Sequence, residues 1–161
     1  MRNWSVGGGI LFQGSNILMV NNSRRGGRTD WSTPGGVIDD GETVIEGLTR
    51  EVREETGLAV TGWSALAYTV NVKAPDMDWD LKVEVHLAKG QEGQIVIDDP
   101  DGIVIAAEWV DTKDLPGLLN GQQPWLSQPL LEFIGAKVEP GHAFSYRVNG
   151  RDINSLDVQR L

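Results

Sequence analysis

Apolar and polar positions change their period along this chain. From Trp4 to Phe12 they alternate loosely around Gly7-Gly8-Gly9, and Asn16 to Val20 continues after a Gly14-Ser15 turn; both stretches predict strands. Asn21 to Asp30, with Arg24, Arg25, Gly26, Gly27 and Arg28, is polar and predicts a mobile loop, from which Trp31 to Thr33 leads onward. Between Val44 and Thr56 the period becomes helical, with Ile45, Leu48 and Val52 on one stripe. Thr43 and Glu46 form a capping box in front of this helix, and Gly57 suits the left-handed residue that ends it. Ala59 to Val72 and Trp79 to Ala88 predict two long antiparallel strands joined through Ala74-Pro75-Asp76. Gln91 to Gly102 is a polar loop with a short strand at Ile95 to Ile97, and Ile103 to Val110 is the next strand. Thr112 to Leu119 and Pro124 to Ile134 have helical spacing. Strands followed and separated by a few helices predict an α+β fold with a mixed β-sheet, in a single domain over residues 1–161. In the tail, 139–161, Phe144, Tyr146 and Val148 alternate before Asn149-Gly150, which predicts a hairpin on this domain or an arm in a homodimer.

The polar face of the Val44–Thr56 helix carries the first chemistry. Glu51, Glu54 and Glu55 crowd one stripe, and the helix holds only Arg50 and Arg53 to offset them. Three like charges at that spacing repel, and hard carboxylate oxygens suit Mg²⁺ or Mn²⁺, whose remaining positions suit phosphate. Upstream, Pro34 stiffens the chain, and Gly35-Gly36 lets the backbone come close to a ligand and frees the Gly36 carbonyl as a further metal ligand.

Taken together, Gly36, five residues, Glu42, seven residues and then Arg50-Glu51-Val52-Arg53-Glu54-Glu55-Thr56-Gly57-Leu58 make a specific pattern. A chance match at a given start is on the order of 10⁻⁹ from average residue usage. The spacing resembles the signature box of the Nudix hydrolases, without departure at any required position; weaker family-like features run from about Trp4 to Leu119. The resemblance implies an α/β/α sandwich with the helix packed on the sheet, and hydrolysis of a nucleoside diphosphate linked to a further group. It implies that Gly36, Glu51, Glu54 and Glu55 hold the metal, that Arg50 orients the carboxylates, and that Glu42 supports the loop through Arg50. The general base is Glu51 or an acid outside the box. Glu108, just before Trp109-Val110, is the outside candidate for base and metal ligand. Asp98, Asp99 and Asp101 either add a ligand or form a turn around Pro100.

Composition narrows the partners. The net charge of −9 argues against a nucleic-acid polymer as partner, so an anionic substrate depends on metal and local arginines; Arg24, Arg25 and Arg28 are the candidate substrate-binding residues. Absence of cysteine excludes a disulfide scaffold, a zinc-thiolate site and a cysteine nucleophile, and fits the cytoplasm. Neither a leader nor a long apolar run indicates secretion or membrane insertion. Of the six tryptophans, Trp31, Trp63 and Trp109 read as packing residues, and Trp4 and Trp79 as candidates for stacking on a base. The favoured substrate is a (deoxy)nucleoside triphosphate, including oxidised forms such as 8-oxo-dGTP. The alternatives are ADP-ribose or another ADP-sugar, a dinucleoside polyphosphate, or a non-catalytic sensor that binds a nucleotide without cleaving it.

Overall fold

A computed structural model describes residues 1–161. Its strands are β1 (Arg2–Ile10), β2 (Phe12–Gln13), β3 (Asn16–Ser23), β4 (Thr29–Ser32), β5 (Gly35–Val37), β6 (Ala59–Ala74), β7 (Trp79–Glu92), β8 (Val104–Asp111), β9 (His142–Asn149) and β10 (Asp157–Arg160). Its α-helices are α1 (Val44–Thr56), α2 (Leu115–Leu118) and α3 (Pro124–Ile134).

The β6–β7 hairpin is the spine of the main sheet, whose order is β10-β9-β6-β7-β1-β5. Pairs β1–β7 and β6–β9 are parallel and the others antiparallel, which makes the sheet mixed. A smaller antiparallel sheet runs β2-β3-β4, with β8 on the other side of β3. Alternation along the strands divides the core into two faces. Tyr68, Val70 and Val72 of β6, Val85 of β7 and Phe144, Tyr146 and Val148 of β9 bury themselves beneath α2 and α3. On the other side Leu48 and Val52 of α1 close over Leu11, Leu18 and Leu58, with Trp63, Ala107 and Trp109 around them. Burying each such aliphatic side chain contributes roughly 1.5–3 kcal/mol, which fixes which face of α1 is inward.

The start of α1 follows its sequence signals. Thr43 Oγ1 accepts from the Glu46 N–H at 3.1 Å, and Glu46 Oε1 accepts from the Thr43 N–H at 3.2 Å. At the other end Gly57 adopts φ +80° and donates its N–H to the Arg53 carbonyl. Ile45, however, leaves the expected apolar stripe and stays 37 % exposed, while Glu55 is drawn inward and is only 6 % exposed.

Two expectations are corrected. The loop at 21–30 is largely structured, because β4 pairs with β3 from Thr29 and leaves only a short 3₁₀ turn at Arg25–Gly27. Ile95 to Ile97 forms no strand; the Val96 N–H is spent on the Thr56 carbonyl at the end of α1. Thr112 to Leu119, by contrast, is helical as its spacing predicts, as a 3₁₀ turn followed by the one-turn α2, in keeping with Pro116 and Gly117. The tail forms a hairpin, with β9 added to the main sheet beside β6, but residues 150–156 connect its strands in place of a tight Asn-Gly turn.

Candidate active site

The site grows from the junction of β5 with α1. Gly7 and Gly8 of β1 pair with Gly36 and Gly35 of β5, and α1 packs across both strands. The fit leaves no space for side chains at the two β5 glycines. A Cβ on Gly35 would lie inside van der Waals contact with the Gly7 carbonyl, and one on Gly36 would stand 2.7 Å from Glu51 Cδ. The backbone at Gly36 thereby lies directly against the Glu51 carboxylate.

Arg50 organises the carboxylates. Its Nε and Nη2 donate to the two oxygens of Glu42 at 2.8 and 2.9 Å, and Nη1 donates to Glu51 Oε1 at 3.1 Å and Glu54 Oε2 at 3.2 Å. Nη2 also faces Asp39 Oδ2 at 3.2 Å. Glu42 closes the network on the loop side, where Glu42 Oε1 accepts the Asp39 N–H at 3.0 Å. The hydrogen bond from Arg50, then that from Asp39, holds the Glu42 carboxyl down to about 2. The same pairing with Glu42 pushes the Arg50 guanidinium further above its already high range.

Glu55 lies deeper. Its Oε1 accepts one backbone N–H, from Gly35, at 3.3 Å. Burial, and after it the Glu51 charge, pushes its carboxyl up to about 9. Burial likewise raises Glu51, against the lowering effect of Arg50. A buried Glu55 carboxyl next to the half-buried Glu51 carboxylate and a glycine backbone is an environment whose charged form a divalent cation would stabilise. The oxygen donors of Glu51, Glu54, Glu55 and the Gly36 carbonyl fit hard Mg²⁺ or Mn²⁺. They do not form a closed cage in this arrangement, since no three acidic or imidazole side chains converge as ligands and Arg50 takes one oxygen each from Glu51 and Glu54.

The structure thus brings together Gly36, Arg50, Glu51, Glu54 and Glu55. It sets Glu108 apart. On β8, Ala107 and Trp109 face α1, and Glu108 alternates to the other face opposite Met19, which lies in the α2–α3 core. The acidic charges felt at Glu51 and Glu55 from outside α1 are Asp101 and Asp99. Asp99 is itself committed to its loop, accepting the N–H groups of Asp101, Ile103 and Val104. The three loop arginines have separate fates. Arg24 is tied to Asp30 by two hydrogen bonds of 2.7 and 3.2 Å, and Arg25 and Arg28 stay exposed; none of their hydrogen bonds or ion pairs reaches α1 or β5.

On the other side of the sheet lies a cavity of about 70 Å³, walled by Trp31, Tyr68, Val85, Trp125 and Leu130 and edged by Thr33. Trp31 faces this cavity, whereas Trp79 packs in the core and Trp4 is exposed. Two buried acceptors without partners belong to its surroundings. Asn21 Oδ1 sits on the residue directly opposite Trp31, and Gln122 Oε1 lies in the turn between Leu119 and Trp125. The sequence carried no signal for this cavity, because its residues come from strands and a helix far apart in the chain. Asp39-Asp40-Gly41 is turn chemistry by sequence, which gives no sign that Asp39 pairs with Arg50.

Comparison with known proteins follows the same lines. The sequence model of the NUDIX domain matches residues 1–133. Putative nudix hydrolase 1 of Caenorhabditis elegans is 30 % identical over 111 residues, 62 % of this chain and 25 % of that protein. The human 8-oxo-dGDP phosphatase NUDT18 is 40 % identical over 49 residues, 30 % of this chain and 15 % of that one. The chain therefore spans a quarter or less of these two relatives. The crystal structure of the mutator MutT protein from Bacillus halodurans superposes with a TM-score of 0.68 at 20 % identity, over 98 % of this chain and 97 % of that one. With the box, the sandwich and the family match in agreement, the chain belongs to the NUDIX domain family.

Proposed function

We propose that this chain is a metal-dependent nucleotide pyrophosphohydrolase, in which water attacks a phosphorus atom and splits a P–O–P bridge. One observation carries the reading: the buried Glu55 carboxyl, on the Gly35 N–H, lies beside Glu51, which stands against Gly36 and is held by Arg50. Glu51, Glu54, Glu55 and the Gly36 carbonyl would hold Mg²⁺ or Mn²⁺, which when bound acidifies water and neutralises phosphate oxygens. Arg50 keeps Glu51 and Glu54 from splaying apart, and Glu42 and Asp39 keep Arg50 in place. Glu51 is the acid best placed to take the proton from the attacking water, because it borders Gly36 and has only one of its oxygens on Arg50.

The favoured substrate is a (deoxy)nucleoside triphosphate, including an oxidised one such as 8-oxo-dGTP. At about 70 Å³ the Trp31–Tyr68–Trp125 cavity is smaller than a whole base, so it supplies an aromatic mouth against which a base stacks rather than an enclosing pocket, and the short segment Trp31 to Gly36 links it to the carboxylates. The relative named for 8-oxo-dGDP, a diphosphate, supports the oxidised base of this choice and not its third phosphate. No helix is long and apolar enough to cross a membrane. A soluble nucleotide of the cytoplasm is the substrate in this reading. The test is a panel of dGTP, 8-oxo-dGTP, ADP-ribose and a dinucleoside polyphosphate with Mg²⁺ or Mn²⁺, with products identified. Monophosphate and pyrophosphate from a triphosphate support the proposal. Preference for ADP-ribose, giving AMP and ribose 5-phosphate, moves the chain to the ADP-sugar group, and binding without turnover makes it a sensor.

A further inference from the structure

We propose that the C-terminal hairpin β9–β10 is a positioning element for the nucleotide: through Tyr146 and Arg160 it fixes α3, the helical wall of the cavity, and so sets how tightly the base is held. This rests on the cavity being the base site. The match to the family ends at residue 133, before the hairpin begins.

α3 needs outside support. It has eleven residues, and no side chain caps its start, where Gln123 stands in the capping position. Pro129 lies inside it, so the Trp125 carbonyl lacks the N–H that would close its turn. A helix this short, uncapped and interrupted is marginal by itself. Yet Trp125, Leu126 and Leu130 of α3 form one wall of the cavity.

The hairpin supplies that support at two points. The buried Tyr146 hydroxyl on β9 donates to Gln128 Oε1 at 2.9 Å, and Arg160 on β10 donates through Nη1 and Nη2 to both oxygens of Glu132, at 2.5 and 2.9 Å. The Arg160 guanidinium also lies 5.3 Å from the centre of the Phe144 ring. Phe144 meets Tyr68 edge-on at 5.7 Å, and Tyr68 meets Phe133 of α3 at 5.8 Å. Beneath these contacts β9 pairs with β6 so that Phe144 is opposite Val70, and Tyr68 and Val70 both line the cavity. The hairpin therefore touches the cavity's strand wall and its helical wall together, and holds one against the other. None of its residues reaches the carboxylates of α1 through a hydrogen bond or ion pair.

The experiment uses the full chain with Tyr146→Phe, Arg160→Ala, their combination, and the charge swap Glu132→Arg with Arg160→Glu. Three quantities are measured: amide exchange over 124–134 against that over 44–56, the Kd of a non-hydrolysable α,β-methylene dGTP by tryptophan fluorescence, and kcat with KM. The combined variant should speed exchange in α3 and leave α1 unchanged. It should raise Kd and KM by about five- to tenfold, from one buried hydrogen bond and one partly exposed ion pair, and leave kcat within about twofold. The charge swap should recover most of the Arg160→Ala loss. If wild type binds the nucleotide and every variant binds it equally well, the hairpin has no such role. A fall in kcat at constant KM also overturns the proposal. Failure of the wild type to bind any nucleotide would overturn the reading of the cavity itself. Tyr146→Phe removes only a hydroxyl, so the helix contact is still tested if Arg160→Ala fails to fold.

Discussion

Arg50 grips both oxygens of Glu42 with Nε and Nη2, at 2.8 and 2.9 Å, while its remaining nitrogen spans Glu51 and Glu54. One guanidinium fork thus ties the loop before α1 to the carboxylates on it. A lysine ammonium cannot fill both roles, because it is a point charge without the planar fork. Arg50→Lys should therefore cut kcat by about tenfold or more with little change in Tm. Unaltered turnover would show that the fork is not used in the reaction.

Glu55→Gln and Glu54→Gln separate charge from shape. Each should cost roughly 10²–10³ in kcat, the usual effect of losing one electrostatic contact to a transition state. Without metal, Glu55→Gln should melt no lower than wild type near neutral pH, because burial already holds the carboxyl in its neutral form and the amide keeps its shape. A melt far below wild type would place the Glu55 charge in the fold rather than in the site.

Chelation gives a direct test of the cation. EDTA should abolish hydrolysis, and excess Mg²⁺ or Mn²⁺ should restore it. Added Mn²⁺ should also raise the melting temperature, since a ligand that binds only the folded state stabilises it. Full activity in chelator would eliminate the metal mechanism.

The two β5 glycines should respond differently to a methyl group. At Gly35 the added Cβ runs into the Gly7 backbone, which cannot move without parting β1 from β5, so Gly35→Ala should destabilise the fold by roughly 2 kcal/mol or more. At Gly36 it meets the Glu51 carboxylate, the end of a side chain that can swing away. Gly36→Ala should lose activity at a smaller cost in stability. Equal melting temperatures for the two variants would contradict this packing.

Acid should release the hairpin anchor. The hydrogen bond from Arg160 lowers the Glu132 carboxyl below its ordinary value. A lowered folded value means that the pair's contribution is complete above the unfolded carboxylate range, near about pH 4.3, and is lost as pH falls through the folded value. With Arg160 partly exposed, the contribution is at most about 1 kcal/mol. The difference in stability between wild type and Arg160→Ala should be constant from pH 6 to 8 and shrink below pH 4. A difference that grew on acidification would have the sign wrong.

The local elements were largely legible because their causes are local. Thr43, Glu46 and Gly57 bound α1 through backbone hydrogen bonds and a left-handed φ that neighbouring residues decide. The spacing of Arg50, Glu51, Glu54 and Glu55 placed the candidate carboxylates and their arginine together on α1 for the same reason. Ile45 and Glu55 show the limit of helical periodicity. Leu48 and Val52 orient α1 against β1 and the smaller sheet, and that docking leaves Ile45 outside and pulls Glu55 in. Glu108 looked suitable by its place before Trp109, yet pairing with Met19 turns it to the α2–α3 side. Arg24 looked free until β4 paired with β3 and brought Asp30 beside it.

By itself the sequence determined the carboxylate helix, its caps, the glycine corner and the mixture of strands and helices, all of which depend on residues a few positions apart. Tertiary structure alone decided that Asp39 joins Glu42 in bracing Arg50, that Trp31 and Trp125 share a cavity, and that a tail hairpin grips α3 through Tyr146 and Arg160. These contacts join residues from separate strands and helices. No local pattern encodes them, because they form only when sheet order and strand register bring those residues within reach.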